Sequence, residues 1–338
     1  MSVMILGRKD LEQVLEMPSV IEGVGSVYQL KSKGETVVWP LVSHEFEEHR
    51  AVMDIRSGGV FGDEQLNGLK MLNNFPLNKE QGLPPFNGML MIFDSRTGMP
   101  LGVMDAAYIT CMRTGAAGAI GAKALARPDS ETLFILGAGK QAIYQIAATL
   151  TLLPRLTKVY VADALDPENA RRFAADCEET LRKDFAIDCS GVRFEAAEDL
   201  AACVGESDIV ITITPARLPV IQKAWVKPGT HFSRIGADME GKEEIDPEIF
   251  RGARIFADDI PQCMRVGEME LPLKKGVIRE EDLAAEIGQV LAGTAEGRRS
   301  DEEITIFDAT GLALLDLVTG KRAIDLAREK GLGLAAEI

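Results

Sequence analysis

Thr132-Leu133-Phe134-Ile135-Leu136-Gly137-Ala138-Gly139-Lys140-Gln141-Ala142 is the stretch on which the reading of this chain turns. It begins as a run of apolar and β-favouring residues, the composition of a parallel strand buried on both faces. Two glycines follow, with Ala142 in the third small position, and Ile143-Tyr144-Gln145-Ile146-Ala147-Ala148-Thr149-Leu150 then suits a helix. This is G-x-G-x-x-A in a strand–turn–helix setting, the pattern that binds dinucleotides. Gly137 permits the tight turn, and Gly139 lets the backbone approach a pyrophosphate. Ala142 lets the helix pack closely on the strand, and the helix N-terminus offers N–H groups and a positive dipole end to the phosphates.

The next strand, Lys158-Val159-Tyr160-Val161-Ala162-Asp163, ends in an acid 26 residues after Gly137, against a usual spacing of about 20. A carboxylate there accepts hydrogen bonds from the adenosine ribose hydroxyls and repels a 2′-phosphate, which predicts NAD rather than NADP as cofactor. From Glu131 onward, strand-like runs at 132–136, 158–162, 192–195, 208–214, 230–236 and 254–257 alternate with helical segments, notably 167–184. Such alternation predicts an α/β fold with a Rossmann-type doubly wound parallel sheet.

The residues before it read differently. Helices are expected over 10–33, with Pro18 separating a short first one from a second that begins near Ser19. Strand-like runs follow at 35–40, 51–56, 68–75, 88–94 and 101–105, with Gly58-Gly59 as a turn and Ser95–Pro100 as a hairpin turn. This is a meandering antiparallel or mixed sheet. Ala106 to Ala126 is a helix of small residues, able to lie close to a backbone or a ligand. Helices near 311–330 follow the strand-like run 304–308 and are expected to cross back to the first domain. The division is then 1–125 with 311–338 as a substrate-binding and dimerisation domain, and 126–310 as the NAD-binding domain.

The formal charge of −15 argues against nucleic-acid and anionic-membrane partners. The five cysteines are scattered with no C-x-x-C pair, which suits reduced thiols in a cytoplasmic protein. Cys111 reads as a small packed residue. The N-terminus has no signal-peptide pattern, and no apolar run reaches the length of a membrane span. His44, His49 and His231 show no metal-ligand spacing, and His231 reads as packed rather than catalytic.

Four residues stand out as candidates for chemistry beside a dinucleotide. Lys70 lies inside the apolar run Leu69-Lys70-Met71-Leu72, where it either faces outward or is inward and functional. Arg113, on the small-residue helix, can offer its fork of donors to a carboxylate or phosphate, or lie solvated. Asp238 follows a strand and a glycine, where it can move protons or cap the next helix. Arg56 is a candidate carboxylate binder or a plain strand-end arginine.

At these residues the sequence resembles the ornithine cyclodeaminase/μ-crystallin family. The resemblance runs through Gly68-Leu69-Lys70, Phe93-Asp94 with Thr97-Gly98, Arg113-Thr114-Gly115-Ala116, Gly137–Ala142 and Thr212-Ile213-Thr214-Pro215. It continues through Gly229-Thr230-His231, Gly236-Ala237-Asp238 and Phe307-Asp308-Ala309-Thr310-Gly311-Leu312-Ala313. It implies an NAD-dependent enzyme on a small amino or imino acid, of alanine dehydrogenase or imine reductase type. The alternatives are an ornithine or lysine cyclodeaminase, which uses NAD catalytically, and a non-catalytic nucleotide-dependent binder. The resemblance implies a homodimer. It assigns Lys70 and Arg113 to the substrate carboxylate and Asp238 to acid/base work, and Lys70 is expected to act in catalysis too by polarising the substrate. Thr114, Gly137, Ala138, Gly139, Lys140, Gln141, Thr214 and Gly311 are its implied cofactor contacts, beside Asp163. Two departures stand out. Val42 occupies the place of an early-strand arginine found in many members, so Arg56 is expected to supply that charge. Ala51 occupies the place of the cyclodeaminases' amine-holding glutamate, leaving Glu45, Glu47, Glu48 or Asp54 to reach in.

Overall fold

The alternating stretch folds as a run of parallel strands. A computed structural model of the chain describes residues 2–46, 48 and 51–337, and it falls into two compact units: Met1–Arg113 with Leu312–Ile338, and Thr114–Gly311. Glu47 and His49, both named above, lie outside the described residues.

In the second unit the strands are ordered Arg193–Ala196, Lys158–Ala162, Thr132–Leu136, Ile209–Thr212, His231–Arg234, Thr305–Asp308, Arg254–Ala257, Leu283–Glu286, and every neighbouring pair is parallel. The chain leaves the Thr132–Leu136 strand toward one edge and returns on its other side. That makes a topological switch point, where ligands bind at the carboxyl ends of the strands. Phe134, Phe232, Phe256 and Phe307 are wholly buried in these strands, each side chain contributing about 1.5–3 kcal/mol by leaving water. Helices Ala142–Leu152 and Pro167–Phe185 connect the first strands.

The boundary between units falls inside helix Ala106–Leu125, at Arg113/Thr114, rather than after residue 125. The small residues explain the difference. A Cβ at Gly115 would run into the Tyr144 carbonyl, and one at Gly121 into the Phe307 ring. The second half of this helix is thus a packed part of the nucleotide-type unit.

The first unit is a mixed sheet ordered Leu334–Glu337, Ser2–Leu6, Pro100–Asp105, Phe86–Asp94, Leu66–Asn74, Ala51–Val60, Thr36–Val38, with Val42–Phe46 also pairing on Ala51–Val60. Ser2–Leu6 runs parallel to Pro100–Asp105, and the other pairs are antiparallel. The C-terminal stretch forms one helix, Ala313–Lys330, which packs on one face of this sheet, where the sequence suggests more than one. Gly58 and Gly59 do not turn. Both sit within the Ala51–Val60 strand, paired with Val38 and Val37 on one side and Gly68 and Asn67 on the other. A Cβ at Gly58 would strike the Val37 carbonyl and come within 3.0 Å of Leu314, so glycine serves close packing of helix on sheet. The two expected helices do form, Arg8–Val14 and Met17–Ser32, and Pro18 lies in the first turn of the second, where its missing N–H costs nothing.

Candidate functional site

Register fixes which side chains of the first unit share a face. Arg56 pairs directly with Lys70, and Lys70 with Leu90, so all three point the same way, with Arg56 and Lys70 Cβ atoms about 5 Å apart. This is the face covered by Ala313–Lys330. Lys70 is therefore inward, fully buried, with its Nζ 2.8 Å from Asp316 Oδ2. It also donates to Thr110 Oγ1 at 3.2 Å, a hydroxyl that itself donates to the Ala106 carbonyl. Arg113 Nε lies 3.1 Å from Asp316 Oδ1. One carboxylate thus holds two basic groups, and the buried cluster carries one positive charge in excess whenever Lys70 is protonated.

Burial pushes the Lys70 ammonium down, and the charges of Arg113 and Arg56 push it further; Asp316 only partly offsets them, so its pKa falls from 10.5 to about 7. For Asp316 burial acts upward, but the charges and hydrogen bonds of Arg113 and Lys70 win and hold the carboxyl below its ordinary value. Val42 pairs with Ile55 and so lies on the opposite face from Lys70. Asp54 and Glu45, by contrast, share the Lys70 face. Asp54 Oδ1 is buried without a hydrogen-bond partner among the described residues.

In the second unit the glycine loop fits a dinucleotide. Gly137 has φ +113°, and a Cβ there would lie 2.7 Å from the Ile213 carbonyl, so glycine is required twice over. A Cβ at Gly139 would meet nothing within 4 Å, leaving open space in front of the Ala142–Leu152 helix N-terminus. Gln141 Oε1 is buried with no partner among the described residues. Asp163 follows the Lys158–Ala162 strand. Its Oδ1 accepts the N–H groups of Leu165 and Asp166, and its Oδ2 accepts Asn169 Nδ2 at 2.9 Å. Burial works against the carboxylate, but these bonds hold it below its ordinary value. Asn169 also donates to the Ala138 carbonyl at 3.2 Å, tying the acid to the glycine loop.

At the carboxyl edge of the same sheet, Thr214 and Asp238 follow the strands that end at Thr212 and Arg234. Asp238 Oδ1 lies 2.6 Å from Lys242 Nζ, which also donates to the Gly236 carbonyl. Thr214 gives both its N–H and its hydroxyl to Glu244 Oε1, at 2.7 and 2.8 Å, so its donors are spent within the protein. Gly311, φ +82°, donates its N–H to Asp258 Oδ2. His231 is a core histidine between Thr305 and Ser233 hydroxyls, with burial holding its pKa well below the ordinary value.

The sites thus fall into two groups, Arg56, Lys70 and Arg113 in one unit and Thr114, the glycine loop, Asp163, Thr214, Asp238 and Gly311 in the other. Sequence reasoning missed Asp316, Asn169, Lys242 and Glu244. Asp316 had a signal: it is a lone acid in the apolar run Leu312-Ala313-Leu314-Leu315-Asp316-Leu317-Val318. Glu244 sits in the acid-rich stretch Glu240–Glu248, which gives none. Among the described residues no group of side chains is arranged to hold a metal ion, and no helix is long and apolar enough to cross a membrane.

The chain is similar to known proteins over its whole length. The chain is 38% identical over 337 residues to alanine dehydrogenase of Archaeoglobus fulgidus, covering 98% of both chains. It is 30% identical over 336 residues to iminosuccinate reductase of Paracoccus denitrificans, covering 99% of this chain and all of that one. An archaeal alanine dehydrogenase dimer solved with bound NAD superposes with a TM-score of 0.91 at 35% identity, over the full length of both chains. The family model for ornithine cyclodeaminase and mu-crystallin matches residues 1–331, and the chain belongs to that family.

Proposed function

We propose that this chain is an NAD(H)-dependent oxidoreductase interconverting a small L-amino acid and its imino or keto acid. The observation that carries the reading is the buried Lys70–Asp316–Arg113 cluster with its excess positive charge. A buried net charge is costly unless paired, and a substrate carboxylate supplies the missing anion. The relatives named above act on substrates of this kind by their names, and the glycine loop with Asp163 suits NAD.

Bound NAD supplies the acceptor, and NADH the donor, for a hydride at the substrate α-carbon. Lys70 and Arg113 hold the carboxylate, and Arg56, on the Lys70 face, adds a third cation. In the oxidative direction Asp238 takes a proton from the substrate nitrogen, and in reduction it returns one. Lys242 holds the Asp238 carboxylate through Oδ1.

A homodimer accords with the uncovered sheet face of the first unit. Val42, Met71 and Met89, on the face away from Lys70, are 55%, 37% and 54% exposed, an apolar patch of the kind a second copy covers. The five buried free thiols suit the cytoplasm.

Asp54 favours a second reading, a cyclodeaminase. Its unpartnered buried Oδ1 on the Lys70 face suits a substrate side-chain amine. One panel separates the two. Alanine, other small amino acids, ornithine and lysine are offered with NAD, then pyruvate plus ammonia, iminosuccinate and cyclic imines with NADH. Change in NADH absorbance identifies the dehydrogenase or reductase; ammonia release without it identifies the cyclodeaminase and overturns the first reading.

A further inference from the structure

The last residues of three central strands of the second unit form one register row, Thr212, Arg234 and Asp308. All three are fully buried, as is Glu244, and Glu268 is 1% exposed. Polar residues at this depth must satisfy one another. Glu244 does most of the satisfying. Its Oε1 takes the N–H and hydroxyl of Thr214. Its Oε2 takes the Thr212 hydroxyl at 2.7 Å, Arg234 Nη2 at 2.9 Å and the Gly236 N–H at 3.1 Å. The Glu244 side chain is held from behind. Glu268 Oε1 accepts the N–H groups of Glu244 and Ile245, Glu268 Oε2 lies 2.9 Å from Arg234, and Asp308 accepts the N–H groups of Glu268 and Met269. Burial raises the pKa of Asp308 well above the ordinary range and, against the pull of Arg234, raises that of Glu268, which limits the negative charge stored there.

We propose that Glu244 is a positioning residue for the chemistry, fixing the Thr214 loop and the Gly236–Asp238 turn on one another. The proposal rests on the assignment of Asp238 as the acid/base. A single carboxylate bonds the first residues of both loops. Gly236 admits no side chain, since a Cβ would lie 2.6 Å from both Glu244 Oε2 and the Thr214 nitrogen. From Gly236 the path to the reacting proton is short: its carbonyl accepts Lys242, and Lys242 pairs with Asp238. Glu244 touches neither cofactor nor substrate in this scheme and acts through the backbone of the turn. A neutral amide cannot do the same, because its Nε2 has no lone pair for the Thr212 hydroxyl, Arg234 and Gly236.

The test uses the full-length enzyme in variants Glu244→Gln, Thr212→Val, Asp238→Asn and the double variant Asp238→Asn/Glu244→Gln. Asp208→Asn is the control. Asp208 is an equally networked acid at the amino edge of the same sheet, holding Arg127, Lys227 and the N–H groups of Glu131 and Thr132. With melting temperature followed in parallel, Glu244→Gln is expected to lower kcat at least about tenfold with KM for the amino acid within about threefold. Thr212→Val, which removes one hydroxyl from a buried strand, is expected to lower kcat about threefold. Asp208→Asn should lower the melting temperature comparably and leave kcat within twofold. In the Asp238→Asn background, Glu244→Gln should cost no further kcat. If Glu244→Gln does not fold, Thr212→Val decides. The proposal is overturned if kcat of the folded variants tracks melting temperature alone, as in the control, or if the two losses simply multiply. A full kcat in Asp238→Asn alone would instead remove the acid/base assignment, and that single variant shows it separately.

Discussion

Lys70 and Arg113 share one carboxylate, that of Asp316, whereas Glu244 and Glu268 share one guanidinium, that of Arg234. Both triads are buried, and their balances are opposite: one positive charge in excess in the first, one negative in the second if all three groups are ionised. The difference lies in what meets the excess. Around Glu244 and Glu268 it is met from within by four backbone N–H groups, those of Thr214, Gly236, Glu244 and Ile245, and by two threonine hydroxyls. The carboxylates of this cluster thus find their partners within the protein and hold loops, while Arg234 Nε and Nη1 have no hydrogen-bond partner among the described residues. Around Lys70 and Arg113, Asp316 is the acid that pairs both, and the hydroxyl of Thr110 is the further acceptor on Lys70. Burial and neighbouring cations bring the Lys70 ammonium close to losing its proton at neutral pH. An excess charge left this way is the mark of a site that an anion completes.

The comparison breaks first at Asp316. Asp316→Asn leaves Arg113 buried without its anion and should destabilise the fold by about 3–5 kcal/mol, read from denaturant melts; a loss under about 1 kcal/mol would mean that the cluster is not sealed. Lys70→Met should behave oppositely. The folded pKa of Lys70 is depressed from 10.5 to about 7, so between those values the unfolded chain binds more protons, and this group makes the wild type gain stability as pH rises. Below about pH 7 the full penalty stands. The difference in unfolding free energy between wild type and Lys70→Met should therefore shift in favour of the wild type between about pH 7 and 10, by a few kcal/mol in total on the order of the shift, while Lys70→Met abolishes turnover at every pH. A pH-independent difference would contradict the depressed pKa.

Smaller effects sharpen the same contrast. Arg56→Ala should weaken substrate binding by about 2–4 kcal/mol and leave NAD affinity unchanged, with Arg56→Lys restoring little because a point charge does not reproduce a two-pronged contact. Unchanged kinetics would make Arg56 a strand-end arginine. Asp163→Ser should narrow the gap between the thermal shifts given by NAD and NADP by about 1–3 kcal/mol in binding terms. Equal shifts in the wild type would remove the Asp163 argument altogether.

The parallel sheet was legible because strands such as Thr132–Leu136 and Ile209–Thr212 are nearly unbroken apolar runs and its first turn needs glycine at Gly137 for reasons visible in the residue itself. The first unit was less legible. A glycine pair such as Gly58-Gly59 signals a turn or a close approach with the same letters, and only the helix lying over it, at Leu314, decides. The Val42–Phe46 strand carries Ser43, His44 and Glu45 and is largely exposed, so it gave no apolar pattern to read. Lys70, Arg113 and Asp238 stood out as charges in apolar or small-residue surroundings. Asp316 meets the same criterion, but its partners Arg113 and Lys70 lie 203 and 246 residues away in the chain, so no local pattern ties it to them. Glu244 and Glu268 could not be found that way: an acid beside other acids reads as surface until the packing shows it buried.

The most direct test of the open positive cluster is the proton balance of binding. Isothermal titration of pyruvate into the NAD-loaded enzyme, without ammonia so that no turnover occurs, is run near pH 8 in buffers of different ionisation enthalpy. A carboxylate arriving at Lys70 and Arg113 raises the Lys70 pKa above its value of about 7, so the account predicts net uptake approaching one proton per site, absent in Lys70→Met. Binding with no proton uptake in the wild type, or with the same uptake in Lys70→Met, would contradict it.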